Sequence, residues 1–338
     1  MTESRRILIV APAWVGDLVM ADTLLQRLAQ RVPAPELHLL APPATAPLAS
    51  RLSAAAAVHR LDVGHGVFGL GARRAVAGRL ADLAFDQAIV LPNSWKSALV
   101  PWLARIPLRT GWIGEARYGL LNDHRRLDAD RYPLMIERFM ALGLPPGAEL
   151  GEPYPVPRLA VDGDRRAELL TGLGLDGQGA VLALCPGAEY GEAKRWPAAH
   201  YAAVARDALA RGGRVWVFGS AAEAALGDAI AARAPGTINL AGRTSLADAV
   251  DLLSAADRVV SNDSGLMHVA CAVGVPVVVA VYGSTTPAFT PPLGGRARAL
   301  SLQLAGSPCF KRTSPLGHLR CLRELQPDRV IEALWCGS

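Results

Sequence analysis

Long apolar runs are missing from this chain: none approaches the roughly 18 uninterrupted apolar residues that a membrane-spanning helix needs. The opening residues MTESRRILIVAP also lack the layout of a secretory signal, because the apolar stretch Ile7–Val10 is too short and Asp17 interrupts soon after. A cytosolic location is therefore expected, with association to a membrane surface left open. Cysteine is scarce and odd in number (Cys185, Cys271, Cys309, Cys321 and Cys336). Cys185 and Cys271 lie in apolar runs and read as reduced core residues. No G-x-G-x-x-G follows the first apolar strand, which disfavours the NAD-dependent oxidoreductase that composition alone suggests. Neither a Walker loop nor a G-x-S-x-G occurs, so P-loop enzymes and serine hydrolases are disfavoured too. Aromatic residues make up only 6% and do not alternate with the basic ones, which leaves nucleic acid the least supported partner.

What is present is an apolar, alternating chain. With 51% hydrophobic and 19% charged residues over 338 positions, two globular domains are the natural expectation. Short β-rich runs at 6–12, 36–41, 57–63, 86–92 and 109–112 alternate with helical spacing at 18–31, 73–84, 96–104 and 132–144. A Pro- and Gly-rich stretch, PPGAELGEPYPVP, then reads as a linker, dividing the chain into domains 1–157 and 158–338. The second half repeats the logic. Strands are expected at 180–184, 214–218, 237–240, 258–261 and 276–282, with helices at 165–173, 198–211, 221–234, 246–255, after Leu266, and at 328–334. Alternation of this kind implies parallel sheets covered on both faces, hence an α/β fold of two Rossmann-like domains. A cleft between them is expected, and the last helix is read as able to pack back toward the first domain.

The richest segment is Ser261–Gly294, SNDSGLMHVACAVGVPVVVAVYGSTTPAFTPPLG. Asp263, Ser264 and Gly265 end a strand, and a helix starts near Leu266. Backbone amides and the positive helix end then lie beyond a strand's carboxyl edge, where a phosphate group can be held. His268 sits one turn into that helix, as a packed histidine or as part of the same site. Gly187 opens a turn after another strand, and Lys194 follows as a diphosphate contact or a plain surface lysine. Glu223 lies just past a third strand and is either an exposed first-turn acid or the acceptor of ribose hydroxyls. Asp17 follows the first strand and is either the N-cap of the next helix or a carboxylate able to take a proton from a hydroxyl. Net charge is +5, and two basic clusters carry it. Ser94–Arg126 holds six cations against two acids, and Arg296–Arg323 holds six cations and no acid, which suggests an anionic partner. The pairs Asp128/Asp130 and Asp162/Asp164 lie in polar connections and read as caps rather than metal ligands. Cys309, His318 and Cys321 are three potential zinc ligands with no fourth nearby, so no metal is assigned.

These residues together resemble a family. The stretches Asn262–Ala270, Tyr282-Gly283, Phe289–Leu293, Ala13–Asp17, Leu91–Ser94, Lys96–Pro101, Arg109–Trp112, Arg117–Asp123, Cys185–Glu189 and Ala193–Pro197 are similar to those of the bacterial ADP-heptose:lipopolysaccharide heptosyltransferases, in closer detail the type II branch. The resemblance implies a GT-B fold and an inverting transfer without metal or cofactor. The donor would be ADP-L-glycero-D-manno-heptose, and the acceptor the first inner-core heptose on Kdo2-lipid A. It implies Asp17 as general base. Gly187, Lys194, Glu223, Asp263, Ser264, Gly265, Leu266 and His268 would bind the donor; Asn93, Lys96, Arg117 and Arg125 are assigned to the acceptor. A monomer at the cytoplasmic face of the inner membrane is expected. Gly306 and Ser314 depart from the family pattern, standing where cysteines would be expected. Competing readings are a type I enzyme acting on Kdo2-lipid A, a GT-B sugar-nucleotide 2-epimerase, and a non-catalytic ADP-sugar-binding protein.

Overall fold

The computed structural model describes residues 5–64, 66–175, 179–315 and 317–336. The chain separates into two compact units, Met1–Pro157 and Arg158–Ser338. The first unit runs β1 (Arg6–Val10), α1 (Val15–Ala29), β2 (Glu36–Ala41), α2 (Ala46–Ala49), β3 (Ala57–Arg60), α3 (Leu70–Ala81), β4 (Gln87–Val90), α4 (Leu99–Leu103), β5 (Leu108–Trp112), β6 (Asp123–Arg125) and α5 (Met135–Gly143). The second runs α6 (Gly163–Gly172), β7 (Val181–Cys185), α7 (Ala198–Ala210), β8 (Arg214–Val217), α8 (Ala224–Arg233), β9 (Thr237–Asn239), α9 (Leu246–Leu253), β10 (Arg258–Asn262), α10 (Gly265–Ala272), β11 (Val277–Tyr282), β12 (Arg296–Ser301), α11 (Arg320–Arg323) and α12 (Pro327–Trp335).

Both sheets are wholly parallel and share one topology. The first is ordered β3-β2-β1-β4-β5-β6; the second, read from its far edge, is β9-β8-β7-β10-β11-β12. In each, the chain winds outward from the first strand and then reverses, so the switch point falls between β1 and β4 in one and between β7 and β10 in the other. The central strands carry runs such as LLA, IV and VVVAVY and are buried on both faces, as parallel strands under helices must be. Burying each of these Val and Leu side chains contributes about 1.5–3 kcal/mol. Helix α1 turns Leu18, Leu24, Leu25 and Leu28 inward and packs on α5, where a Cβ on Gly143 would meet Leu24 Cδ1 at 2.5 Å. The closing helix α12 lies on α7 and β11 of its own unit. Val330, Ala333 and Leu334 join that core, and Trp335 donates to Asp207 Oδ2 (2.8 Å).

Several boundaries differ from the sequence expectation for physical reasons. The helix expected at 132–144 starts only at Met135, since Pro133 disfavours a helical Tyr132. The one expected at 96–104 is a 3-10 turn, Trp95–Ala98, followed by α4. The edge strands β6 and β12 were not anticipated: one spans three residues, and the other reads RARALS, with arginines where a buried strand would carry apolar residues. No helix among the described residues is long and apolar enough to cross a membrane.

Candidate active site

The second unit gathers its polar residues at its switch point. β7 ends at Cys185 and leads into Pro186-Gly187, while β10 ends at Asn262 and leads into Asp263-Ser264. Asn262 joins the two turns. Its Nδ2 donates to Pro186 O (2.7 Å) and Gly187 O (3.4 Å), and its Oδ1 accepts from Trp196 N and Tyr201 Oη at 3.0 Å each. Asn262, Pro186, Trp196 and Tyr201 are buried, so the turns are fixed before any ligand arrives. Glu223, beyond β8, reaches the same place. Its Oε2 accepts from Ser220 N (2.8 Å) and Ser220 Oγ (3.0 Å), and its carboxylate fills the position that a Cβ on Gly187 would occupy. Gly187 is thus glycine because Glu223 stands beside it.

Asp263 precedes the N-cap Ser264 of α10, whose first amides have no partner inside the helix. Asp263 Oδ2 accepts from Lys194 Nζ (2.7 Å) and Thr285 Oγ1 (2.5 Å). Lys194 Nζ lies 5.1 Å from the centre of the Tyr190 ring. His268 is buried one turn along α10. Burial pushes its pKa down to about 4, although Asp263 pulls it up and Lys194 pushes it further down. At neutral pH it is an uncharged imidazole. Burial, with a contribution from Glu223, pushes the Cys185 thiol far up, so it is inert packing.

In the first unit, Asp17 and Asn93 follow β1 and β4, the strands that flank its switch point. Trp14 is the N-cap of α1, and Asp17 is a half-buried first-turn residue, so the cap alternative for Asp17 does not hold. Asn93 is exposed and Lys96 half-exposed on the turn after β4. A separate concavity of about 300 Å³ lies past β5 and β6, with Trp112, Tyr132, His124, Arg125, Arg126 and Arg131 among its lining.

The model for glycosyltransferase family 9 (heptosyltransferase) matches residues 73–320. The chain belongs to glycosyltransferase family 9. Lipopolysaccharide heptosyltransferase 2 of Salmonella typhimurium is 41% identical over 97% of both chains, and that of Escherichia coli K12 matches equally. Lipooligosaccharide heptosyltransferase 2 of Haemophilus influenzae is 39% identical over 97% of this chain and 98% of its own. The solved structure of E. coli ADP-heptose lipopolysaccharide heptosyltransferase II superposes with TM-score 0.86 at 39% identity, covering 97% of each chain. An E. coli heptosyltransferase solved with ADP, 22% identical, shares the fold at TM-score 0.69 over 96% of this chain and 97% of its own. As a member of family 9 the chain is a glycosyltransferase, and its paired Rossmann-like units are the GT-B fold.

Within this family 9 enzyme, the residues expected to bind the donor follow β7, β8 and β10, with Glu223 against Gly187 and Lys194 against Asp263. Two residues expected to meet the acceptor are placed otherwise. Arg117 is 3% exposed, and its guanidinium donates to Pro92 O (2.5 Å), Trp112 O (2.6 Å) and Ser97 Oγ (3.3 Å). Arg125 is paired with Asp123 (2.7 Å) and caps α5 through Ala141 O (2.9 Å) and Leu144 O (2.6 Å). Both hold loops together, and Arg125 also lines the concavity past β6. Asp162 accepts from Arg165 N (2.9 Å) as the N-cap of α6, in keeping with its reading as a cap. Among the described residues no His, Cys, Asp or Glu side chains cluster at a metal-sized site. Sequence reasoning missed Asn262 and Thr285 as site residues, although Asn262 directly precedes the quoted Asp263-Ser264-Gly265 turn.

Proposed function

We propose that this protein transfers L-glycero-D-manno-heptose from ADP-heptose to the first heptose of the lipopolysaccharide inner core, with inversion at the anomeric carbon. The observation that carries the reading is the buried clasp of Asn262 on Pro186 and Gly187, which sets Glu223, Asp263, Lys194 and the amides of α10 around one switch point. Such a set suits a nucleoside diphosphate sugar. Glu223 takes the ribose hydroxyls, as acids past a strand end do in related folds. The amides of Gly265 and Leu266 take phosphate oxygens. Lys194 and Asp263 meet the diphosphate–sugar junction, and His268 adds an uncharged wall. The second unit is the donor domain in this reading, and the first is the acceptor domain.

Asp17 acts as general base. The acceptor oxygen bonds to the anomeric carbon as its proton passes to Asp17. The bond from that carbon to the β-phosphate oxygen breaks, its electron pair leaving with ADP. Positioned donors then stabilise the charge that develops on the departing phosphate. Asn93 and Lys96, on the turn after β4, meet the acceptor, and the concavity past β6 takes its anionic groups through Arg126. The enzyme works as a monomer at the cytoplasmic face of the inner membrane, where the lipid acceptor lies.

Incubating the purified protein with ADP-heptose and defined truncated lipopolysaccharides, read by mass spectrometry, tests this. The expected result is one added heptose on heptosyl-Kdo2-lipid A. Addition to Kdo2-lipid A instead would make it a type I enzyme, and no addition to either would remove the assignment.

A further inference from the structure

The segment Ser307–Arg312 is strapped across the donor end of the second unit. Ser307 Oγ donates to Gly283 O (3.0 Å), Phe310 N to Ser284 O (2.7 Å), and Tyr190 Oη to Phe310 O (2.8 Å). Its last residue is tied next to Lys194: Ala193 N donates to Arg312 O (3.1 Å). Gly191 permits this approach, because a Cβ there would collide with Arg312 O. The Arg312 guanidinium carbon lies 5.4 Å from the centre of the Tyr190 ring, and Lys194 Nζ lies 5.1 Å from the same centre. One aromatic ring therefore organises two cations.

We propose that Arg312 is the second cation for the leaving diphosphate, delivered beside Lys194 by the Ser307–Arg312 strap and the Tyr190 ring. The proposal rests on the donor-site reading above. The charge balance of the site motivates it. Lys194 is engaged by Asp263 at 2.7 Å, so that pair is close to neutral as a unit. The nucleotide gains a full negative charge as the sugar bond breaks. Among the described residues Arg312 has no carboxylate within ion-pair distance, and it is exposed, so its charge is uncommitted. A planar guanidinium can bridge oxygens of two adjacent phosphates, which a single ammonium cannot. Contact with the Tyr190 ring holds the side chain near its target without consuming its N–H donors. Arg312 would thus be a contact residue for the leaving group, while Tyr190 and Gly191 are positioning residues.

Calorimetry with ADP and with AMP separates the possibilities. Arg312→Ala should lose about tenfold or more in ADP affinity, the scale of one charge-assisted hydrogen bond. AMP, which keeps only one of the two bridged phosphates, should lose less, and the melting temperature should stay near wild type. Arg312→Lys should recover part of the loss. In turnover assays kcat should fall while the KM for the lipopolysaccharide acceptor stays unchanged. Gly191→Ala, which displaces the strap while leaving Arg312 present, should show the same selective loss for ADP. Equal ADP affinity in wild type and Arg312→Ala overturns the proposal. So does a loss that is equal for ADP and AMP, which would make the strap purely structural. If the wild-type protein fails to bind ADP, the donor-site reading itself falls, and the proposal with it.

Discussion

Gly187 has no side chain because the Glu223 carboxylate occupies the space one would need. Gly187→Ala should therefore push a flexible carboxylate aside rather than disrupt the core. We expect ADP affinity to fall about tenfold with stability nearly unchanged, as calorimetry and thermal melts can show. Asp17 stands at the matching place in the first unit. Asp17→Asn should fold and bind ADP normally yet lose at least about a hundredfold in kcat, the scale of a general base. Turnover close to wild type would remove Asp17 as the base. His268 yields a pH effect. The unfolded chain takes up the histidine proton below about pH 6.5, whereas the folded protein takes it up only near pH 4. Between those values the unfolded state binds more protons, so folding stability declines as pH drops through that window, by on the order of 3 kcal/mol at most. His268→Gln should flatten this part of the stability–pH curve measured by urea unfolding.

At the scale of elements, the turn after β4 is ordered by a buried arginine. Burial pushes the Arg117 pKa down to about 10, so it remains charged at neutral pH and spends that charge on the carbonyls of Pro92 and Trp112. Arg117→Ala should leave those oxygens without a partner, cost about 2–3 kcal/mol in chemical unfolding, and raise the acceptor KM through Asn93 and Lys96 without changing the affinity for ADP. The same arginine marks the limit of reading the sequence. Alternation of apolar runs with helical spacing, and the glycine turns after β7 and β10, were legible because backbone preference and strand burial are local properties. The direction of a side chain is not. Arg117 and Arg125 read as part of a basic cluster for an anionic partner, yet both turn onto carbonyls supplied by segments that lie next to them only after folding. Asn262 was missed as a site residue for a related reason. Its partners Pro186 and Tyr201 are remote in sequence, and nothing local marks an asparagine at the end of a strand as a clasp. The edge strands β6 and β12 escaped because strands half open to solvent tolerate the arginines and short lengths that sequence patterns assign to loops.

For the molecule as a whole, one topology serves twice. Asp17 and Asn93 in one unit, and Gly187 and Asp263 in the other, follow the two strands that flank the reversal of order, so ligands for the two units should leave separate footprints. Hydrogen exchange with ADP alone should slow amides near 186–195, 219–224 and 263–267, while the amides of β2 and β3 keep their rates. Protection centred on the first unit would contradict the donor assignment. The clasp from Asn262 to Pro186 also has a consequence in time. It joins residues 76 positions apart, and β10 pairs directly with β7. On a ribosome adding about 5–20 residues per second, the wholly apolar edge of β7 waits on the order of 4–15 s for its neighbour. During that interval VLALC is an unpaired strand edge open to pairing with other chains. The nascent enzyme should therefore be most prone to aggregate, and most in need of a chaperone, while the segment between β7 and β10 is being synthesised.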